Sequence, residues 1–341
     1  MTFSVIVQPA GREFSAQSDE TLLAAAIRQG IGLPYGCKDG ACGSCKCRLL
    51  EGRVAHGPHQ DKALTAAEEA AGAILTCRAT PLTDCVIESR QVTAVGQYPI
   101  VKLPMRVSTI ERRSDDVIVL TLQLPANQPF QYHAGQYIEL LLANGLRRSY
   151  SMATAPEVAH GRMELHLRHM PGGVFTDHVF GAMKEKEILR AEGPYGSFYL
   201  RDDSARPIVL LASGTGFAPV KAIVEHMRAR SVERPTTLYW GCRRRADLYM
   251  NDWIEAAAAE LPWLRYVPVL SDAPAEDAWV GRTGLVHRAV MADHPDLSGH
   301  EVYACGAPIM VDSARRDFVG ACALPEDYFY ADAFTSAVDR T

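Results

Sequence analysis

The sequence predicts a multi-domain chain of three folds in series: a small α+β domain, an antiparallel β-barrel, and an α/β domain built on a parallel sheet. Three observations carry this reading. A strand, a helix and a glycine-rich loop fill the first part of the chain, to about residue 90. Short strands with turn signals follow from 105 to about 200, the rhythm of an antiparallel barrel. After Pro207 strands and helices alternate, which argues for a parallel sheet with covering helices. A length of 341 residues suits two to three domains at the usual ~150 residues each.

Taken in order, Phe3, Val5 and Val7 alternate across residues 2–8 as in a half-buried strand, and Arg12 to Ala16 supplies a hairpin partner. Glu20 to Gln29 places Leu22, Leu23, Ala26 and Ile27 at helical spacing, and Gly30 stops the helix. Strands are expected at 45–50 and 84–90, completing a first domain of residues 1–93. Gly96, Pro99 and Pro104 punctuate a linker, set at 94–104. The barrel, 105–202, is read from strands at Arg106–Ile110, Val117–Leu124, Gln136–Leu142, Arg147–Ala153, Arg162–His169, Glu187–Ala191 and Ser197–Leu200. The last domain, 203–341, opens on the apolar run Pro207–Ala212. A helix at Ala218–Arg230 follows, then strands at Thr236–Trp240, Leu264–Leu270 and Glu301–Cys305.

Composition excludes several function classes. Hydrophobic residues make up 48% and charged residues 22%, with a mean hydropathy of −0.07, enough apolar side chain for packed cores rather than disorder. A formal net charge of −5 and a pI near 6.1 offer no basic face to nucleic acid. No apolar run approaches the length of a membrane span. Met1 to Phe14 lacks the basic start and apolar stretch of a signal peptide. The expectation is a cytoplasmic protein with neither nucleic acid nor membrane as partner.

Nine cysteines are present, an odd count that argues against a disulfide framework in a chain without a secretion signal. Five fall between Cys37 and Cys77. Cys37, Cys42 and Cys45 form C-x4-C-x2-C in a loop that also holds Gly36, Gly40 and Gly43, and Cys77 follows after 31 intervening residues. Glycines let such a loop wrap tightly and turn its amides toward anionic sulfurs. The spacing is the plant-type 2Fe–2S pattern, with Cys37, Cys42, Cys45 and Cys77 as metal ligands. Clustered free thiols, or a zinc site built from paired C-x2–4-C units, are the alternatives. Cys47 and Cys85 fall outside the four-ligand spacing, and Cys242 and Cys322 read as buried thiols.

Further along, Arg148-Ser149-Tyr150-Ser151 resembles the flavin signature of the ferredoxin-NADP reductase superfamily, and Ala134-Gly135-Gln136-Tyr137 resembles its adjoining barrel strand. Pro171-Gly172-Gly173-Val174-Phe175-Thr176 resembles that family's pyrophosphate loop. Gly214-Thr215-Gly216-Phe217-Ala218-Pro219 and Cys305-Gly306-Ala307-Pro308 resemble its nicotinamide-binding turns. With a plant-type ferredoxin domain of the β-grasp type in front, the whole chain is similar to the ferredoxin-fused reductases. These include reductase components of multicomponent oxygenases and CDP-6-deoxy-glucoseen reductases.

The resemblance implies roles for individual residues. Arg148 neutralises flavin phosphate, Tyr150 packs on the isoalloxazine, and Ser151 bonds near its N5. Gly172, Gly173, Val174 and Thr176 form an anion site of backbone amides before a helix at Asp177–Met183. Gly214, Thr215 and Gly216 lie in a strand-to-helix turn, where phosphate-binding amides converge, and Cys305 faces the nicotinamide C4 to position the hydride. Read singly, each motif has a plainer meaning: an exposed Arg148, a core-facing Tyr150, a bare turn at Gly172-Gly173, and Arg168 as the solvated end of a strand. The third glycine of G-x-G-x-x-G is replaced by Pro219, which is acceptable near a helix start. Arg243-Arg244-Arg245 suits a 2′-phosphate, whereas Asp247 suits a ribose 2′-hydroxyl and favours NADH. Tyr330 to Phe334 resembles the family's end, where an aromatic and an acid approach the flavin, which makes Phe334 a cofactor contact. An ordinary last strand is the other reading.

Nicotinamides give up electrons in pairs, whereas a 2Fe–2S cluster takes one at a time, so a flavin is the chemical step between them. The resemblance therefore implies an enzyme in which NADH, rather than NADPH, reduces FAD, rather than FMN. Single electrons then pass through the cluster to an oxygenase component, Rieske or di-iron, or to another terminal enzyme. A deoxysugar dehydratase as acceptor is the alternative, and a redox sensor without turnover is a third reading. No small-molecule substrate beyond NAD(P)H is implied.

Overall fold

The computed structural model describes residues 1–89, 91–94, 98–143 and 145–335. They form two compact units: Met1–Tyr98 with Gly196–Phe198 and the chain's end from Ala331, and Pro99–Tyr195 with Tyr199–Tyr330. Among the described residues no helix is long and apolar enough to cross a membrane.

In the first unit, strands Thr2–Gln8 and Arg12–Gln17 form the expected hairpin, with Val5 opposite Phe14. The sheet runs Arg12–Gln17, Thr2–Gln8, Cys85–Glu88, Lys46–Glu51, Ala73–Leu75, and its Thr2–Gln8 and Cys85–Glu88 pair is parallel. Because successive strand side chains face opposite ways, Val5, Val7, Phe14 and Ala16 all turn inward and are buried. Helix Leu22–Arg28 buries Leu22, Leu23, Ala25 and Ala26 and packs on strand Arg12–Gln17. Thr21 caps it, its hydroxyl accepting the Ala24 N–H at 3.2 Å, an arrangement worth about 1 kcal/mol. This mixed sheet with one crossing helix is the β-grasp layout. The pairs Val54–His56 with Ala79–Pro81 and Ile31–Gly32 with Thr93–Ala94, and the helix Ala66–Ala70, escaped sequence reading because they are too short for periodicity to register.

The second unit begins with the barrel. Its strands lie in the order Arg147–Ser151, Tyr137–Leu141, Ile188–Tyr195, Val101–Arg112, Val117–Gln123, Arg162–Arg168, antiparallel throughout. A bridge between Met152 and Leu165 joins the two edges and closes the sheet around Met105, Leu120, Leu122, Ile138, Met163 and Leu165. Strand Val101–Arg112 starts inside the span expected as linker, 94–104. Residues 95–97 of that span, Arg90 and residues 336–341 lie outside the described residues. The expected strand Ser197–Leu200 does not form. Ser197 instead spends its N–H on Tyr35 O at 3.2 Å and accepts the Tyr35 N–H on its hydroxyl at 2.9 Å. The alternating burial of Phe198 and Leu200 therefore belongs to an irregular segment rather than to a ladder.

The parallel sheet of the same unit has the order Arg282–Thr283, Leu264–Leu270, Thr236–Cys242, Ile208–Ser213, Glu301–Gly306. It carries the helices Phe217–Ala229, Asn251–Glu260, Val286–Asp293 and Pro308–Ala321. The central strands Ile208–Ser213 and Glu301–Gly306 are buried almost throughout, as covering on both faces requires.

Candidate functional site

Four cysteines converge in the first unit. The Cys37 N–H points at Cys42 Sγ and the Cys42 N–H at Cys37 Sγ, both at 3.3 Å, and the Ser44 N–H approaches Cys42 Sγ at 3.5 Å. Cys45 and Cys77 bring their sulfurs within 3.2 Å. The loop wraps this way because Gly40 takes φ +81°, where a Cβ would stand 2.9 Å from His59 Cβ and from Arg78 Cγ. Cys77 arrives from a distant segment through Thr76, whose N–H donates to Cys45 O at 3.2 Å and whose carbonyl accepts the Leu23 N–H at 2.9 Å. The thiols lean on one another. Cys42 holds Cys37 far below the ordinary thiol range and Cys77 lowers Cys45, whereas Cys37 is the main influence pushing both Cys42 and Cys77 upward.

Among the described residues no three His, Cys, Asp or Glu side chains converge as a single metal ion requires. The Cys45 and Cys77 sulfurs meet directly, Cys37 and Cys42 exchange N–H contacts, and Cys37 also bears on Cys77, so four thiols are gathered together, a donor set that suits two irons rather than one zinc. The residues fit a 2Fe–2S group. Cys47 stands outside the loop, in strand Lys46–Glu51 opposite Ile74. Asp332 is buried in this unit, its Oδ1 lying 3.2 Å from where a Gly36 Cβ would stand. Phe334 follows strand Phe329–Ala333 and is half-buried.

On the barrel, strand Arg147–Ser151 alternates, so Arg148 and Tyr150 share one face and Ser151 is buried on the other, opposite Tyr137. Arg148 Nη1 donates to Arg147 O at 2.9 Å. The Tyr150 ring packs 5.6 Å from Phe175, which joins the flavin motif to the first turn of helix Val174–Gly181, and burial pushes the Tyr150 phenol upward. In the loop before that helix, Thr176 Oγ1 donates to Met170 O at 2.9 Å. The Gly172 N–H donates to Asp177 Oδ2 at 3.1 Å, with His169 holding the other Asp177 oxygen at 3.0 Å. Thr176 thus shapes the loop from within, while Val174 is exposed beside Gly173 at the helix start.

The two glycine turns expected to meet a nicotinamide do come together. Gly214–Gly216 leaves strand Ile208–Ser213, and Cys305–Pro308 leaves the neighbouring strand Glu301–Gly306. Ser213 Oγ accepts the Ala307 N–H at 2.9 Å. A Cβ on Gly216 would overlap the Cys305 carbonyl, and one on Gly306 would overlap Ser213. Both glycines are therefore required for backbone to meet backbone. The helix that follows, Phe217–Ala229, has no acid in its first turn, so its positive end favours an anion. Arg168 reaches within 3.5 Å of the Gly214 Cβ position and pairs with Asp116 at 2.7 Å. It thus stands beside this turn rather than ending as a bare strand residue. Cys305 is fully buried.

Sequence reading missed the supports of these turns. Trp240 Nε1 donates to Gly214 O at 3.0 Å and stacks on Phe217 at 4.0 Å. Lys221 is 3% exposed on the helix face turned toward the barrel. A lysine within an apolar helical stripe was the available signal for it. At the cofactor-choice loop, Asp247 Oδ2 accepts the Arg244 N–H at 2.9 Å. Arg243 is drawn to Asp272 at 3.7 Å, and Arg245 gives its N–H to Asp277 at 3.1 Å.

Comparison with known proteins matches three family models to successive stretches of the chain. Residues 5–82 match the 2Fe-2S iron-sulfur cluster binding domain family, 104–199 the oxidoreductase FAD-binding domain family, and 210–316 the oxidoreductase NAD-binding domain family. The chain is 40% identical to CDP-6-deoxy-L-threo-D-glycero-4-hexulose-3-dehydrase reductase of Yersinia pestis, with 98% of this chain and 99% of that one covered. It is 34% identical to reductase component 2 of the terephthalate 1,2-dioxygenase of Comamonas sp., with 98% of each chain covered. The crystal structure of the Amycolatopsis cytochrome P450 reductase GcoB matches at a TM-score of 0.79 and 35% identity, over 98% of this chain and 99% of that one.

Proposed function

Because the chain belongs to the ferredoxin-fused reductases of the ferredoxin-NADP reductase superfamily, we propose that it draws electrons from NADH and delivers them one at a time to a terminal oxygenase component. It is an NAD(P)H-dependent iron–sulfur flavoprotein oxidoreductase, with a domain for each cofactor. When bound, the flavin supplies the step between a two-electron donor and a one-electron carrier. The protein's part is to bind and orient. Cys37, Cys42, Cys45 and Cys77 hold the cluster, Arg148 offers charge to flavin phosphate, Tyr150 walls the ring, and Ser151 bonds near its reactive edge. The amides of Gly214, Thr215 and Gly216 receive the nicotinamide cofactor's phosphates, and Cys305, fully buried, backs that turn through its carbonyl beside Gly216.

The observation that carries this reading is the backbone contact of Gly216 with Cys305 at the carboxyl ends of adjacent parallel strands, where open α/β sheets take their ligands. NADH is favoured over NADPH because Asp247 in this loop suits a ribose 2′-hydroxyl and the Arg243 guanidinium is drawn to Asp272. A cytoplasmic setting suits four reduced thiols. A dehydratase as acceptor is the second reading, favoured by the higher identity to the Yersinia dehydrase reductase, 40% against 34% for the dioxygenase component.

Anaerobic titration of the purified holoprotein with NADH and then NADPH tests the donor and the order together. Bleaching of flavin and iron–sulfur bands with NADH at the lower concentration, and a rhombic EPR signal on reduction, is the expected result. Flavin bleaching with a silent cluster would overturn the route through the cysteines. Preferential reduction by NADPH would overturn the reading of Asp247.

A further inference from the structure

We propose that Lys221 is a positioning residue for hydride transfer, a buried latch that fixes the nicotinamide-binding turn against the flavin-binding strand. The inference rests on the reading that NAD(P)H reduces a flavin held on the barrel, and it names what sets the distance between the two.

Lys221 lies in the second turn of helix Phe217–Ala229, just past Gly214–Gly216. Its ammonium donates to Ala153 O at 3.0 Å and to Glu225 Oε1 at 2.6 Å, and pairs with Glu164 Oε2 at 3.0 Å. The Trp253 ring stands 5.1 Å away. Glu225 completes the loop by accepting the Ala155 N–H at 2.9 Å. Ala153 and Ala155 are the continuation of the strand that ends at Ser151, and Glu164 belongs to barrel strand Arg162–Arg168. The segment between them is itself pinned. Tyr132 donates to Thr154 O at 2.8 Å, and the Glu164 N–H donates to Thr154 Oγ1 at 3.0 Å. Beside the latch, Ala134 and Ala155 of the barrel meet Ala222 of the helix, small side chains that permit close approach. A second strut, His166 Nδ1 to the Tyr249 hydroxyl at 2.8 Å, crosses the same junction.

The covalent leash on each side is short. One residue separates Ser151 from Ala153, and four separate Gly216 from Lys221. A shift at the latch is therefore carried to both cofactor sites. An ammonium taken out of water beside two carboxylates gains little net stability over an apolar side chain of similar size, but it accepts one geometry only. That is the property a hydride donor and acceptor need, since a misplacement of about 1 Å can cost about a hundredfold in rate.

The test compares wild-type holoprotein with Lys221→Met, which keeps length and removes charge, and with Glu225→Gln. Flavin reduction is followed by stopped flow over a range of NADH concentrations, with the long-wavelength absorbance of the reduced flavin–NAD+ pair. Hydrogen exchange of the Ala153–Ala155 segment supplies a readout independent of turnover. For Lys221→Met the limiting reduction rate should fall about tenfold to a hundredfold, while the NADH concentration dependence moves by no more than about twofold. The long-wavelength band should weaken and the Ala155 amide should exchange faster. Glu225→Gln should move each readout the same way by less, and it carries the test if Lys221→Met does not fold. A variant with wild-type flavin content, wild-type limiting rate and unchanged exchange overturns the latch. If the wild-type flavin itself stays oxidised under both nicotinamides, the functional reading falls and the latch with it. If wild type is reduced and the variant keeps pace, the latch alone falls.

Discussion

The cysteine loop and the junction between barrel and parallel sheet do comparable work by opposite means. In the loop, three of the four gathered cysteines lie within nine residues, Cys37 to Cys45, and the geometry is made by local backbone: glycines at positive φ and amides turned onto sulfur. At the junction the working groups come from segments far apart in the chain. Gly216 meets Cys305, Ser213 meets Ala307, and Lys221 meets Ala153 and Glu164. A local site tolerates change in its surroundings but not in its own few residues. A junction built from distant segments depends on packing, and its failures should be graded.

The sharpest break in this comparison is expected at the loop. Cys42→Ser removes a ligand and two amide contacts at once, so visible iron–sulfur absorbance and the EPR signal should vanish while bound flavin remains. Reduction of a dye by NADH should persist, and reduction of cytochrome c should fall by about tenfold or more. Cytochrome c reduction that survives without a cluster would show that electrons leave from the flavin.

Gly216→Ala tests the junction in its turn. The new methyl meets the Cys305 carbonyl, backbone that cannot swing aside, and overpacking of this kind typically costs about 1–3 kcal/mol. The cluster and flavin spectra should be retained, with weaker NADH binding and a lower Tm. Unchanged NADH affinity in a folded Gly216→Ala protein would remove this turn from the site.

The smallest effect expected is an acid dependence that belongs to the junction. Burial pushes Glu164 upward, but His166 and the Lys221 charge outweigh it and hold the carboxyl at about 2, below its ordinary 4.5. A carboxyl depressed on folding contributes stability that is present above its unfolded value and is lost as pH falls toward the folded one. Glu225, which burial raises, works in the opposite direction, so the net slope is shallow. Lys221, His166, Glu225 and Tyr249 are the groups to consider in that pocket. Glu164→Gln should flatten the fall of Tm between pH 4.5 and 2; a slope equal to wild type would assign the acid dependence elsewhere.

Much of the fold could be read directly. Phe3, Val5 and Val7, the run at 207–212 and the helix after Gly216 each carry their periodicity on the surface of the sequence, because burial of one face is a local pattern. That Cys37, Cys42, Cys45 and Cys77 come together was legible from their spacing. Ser197–Leu200 misled because alternation reports burial and not a ladder partner, and its partner turned out to be Tyr35. Thr176 was assigned to an anion and is engaged by Met170 O, a contact that no spacing rule reveals. Trp240 and Lys221 were missed altogether, since a tryptophan ending a strand and a lysine in a helix have no meaning until the neighbouring segment is in place.

By itself, then, the sequence determined the order of the three folds, the grouping of four cysteines and the glycine turns, all of which are properties of short stretches of backbone and of side-chain spacing. Only the tertiary structure decided which turn touches which, that a buried ammonium ties the helix after Gly216 to the strand after Ser151, and which polar groups the protein uses on itself. The reason is that close packing and hydrogen-bond pairing between distant segments are set by the fold as a whole, and a single position in the chain carries no record of its partner.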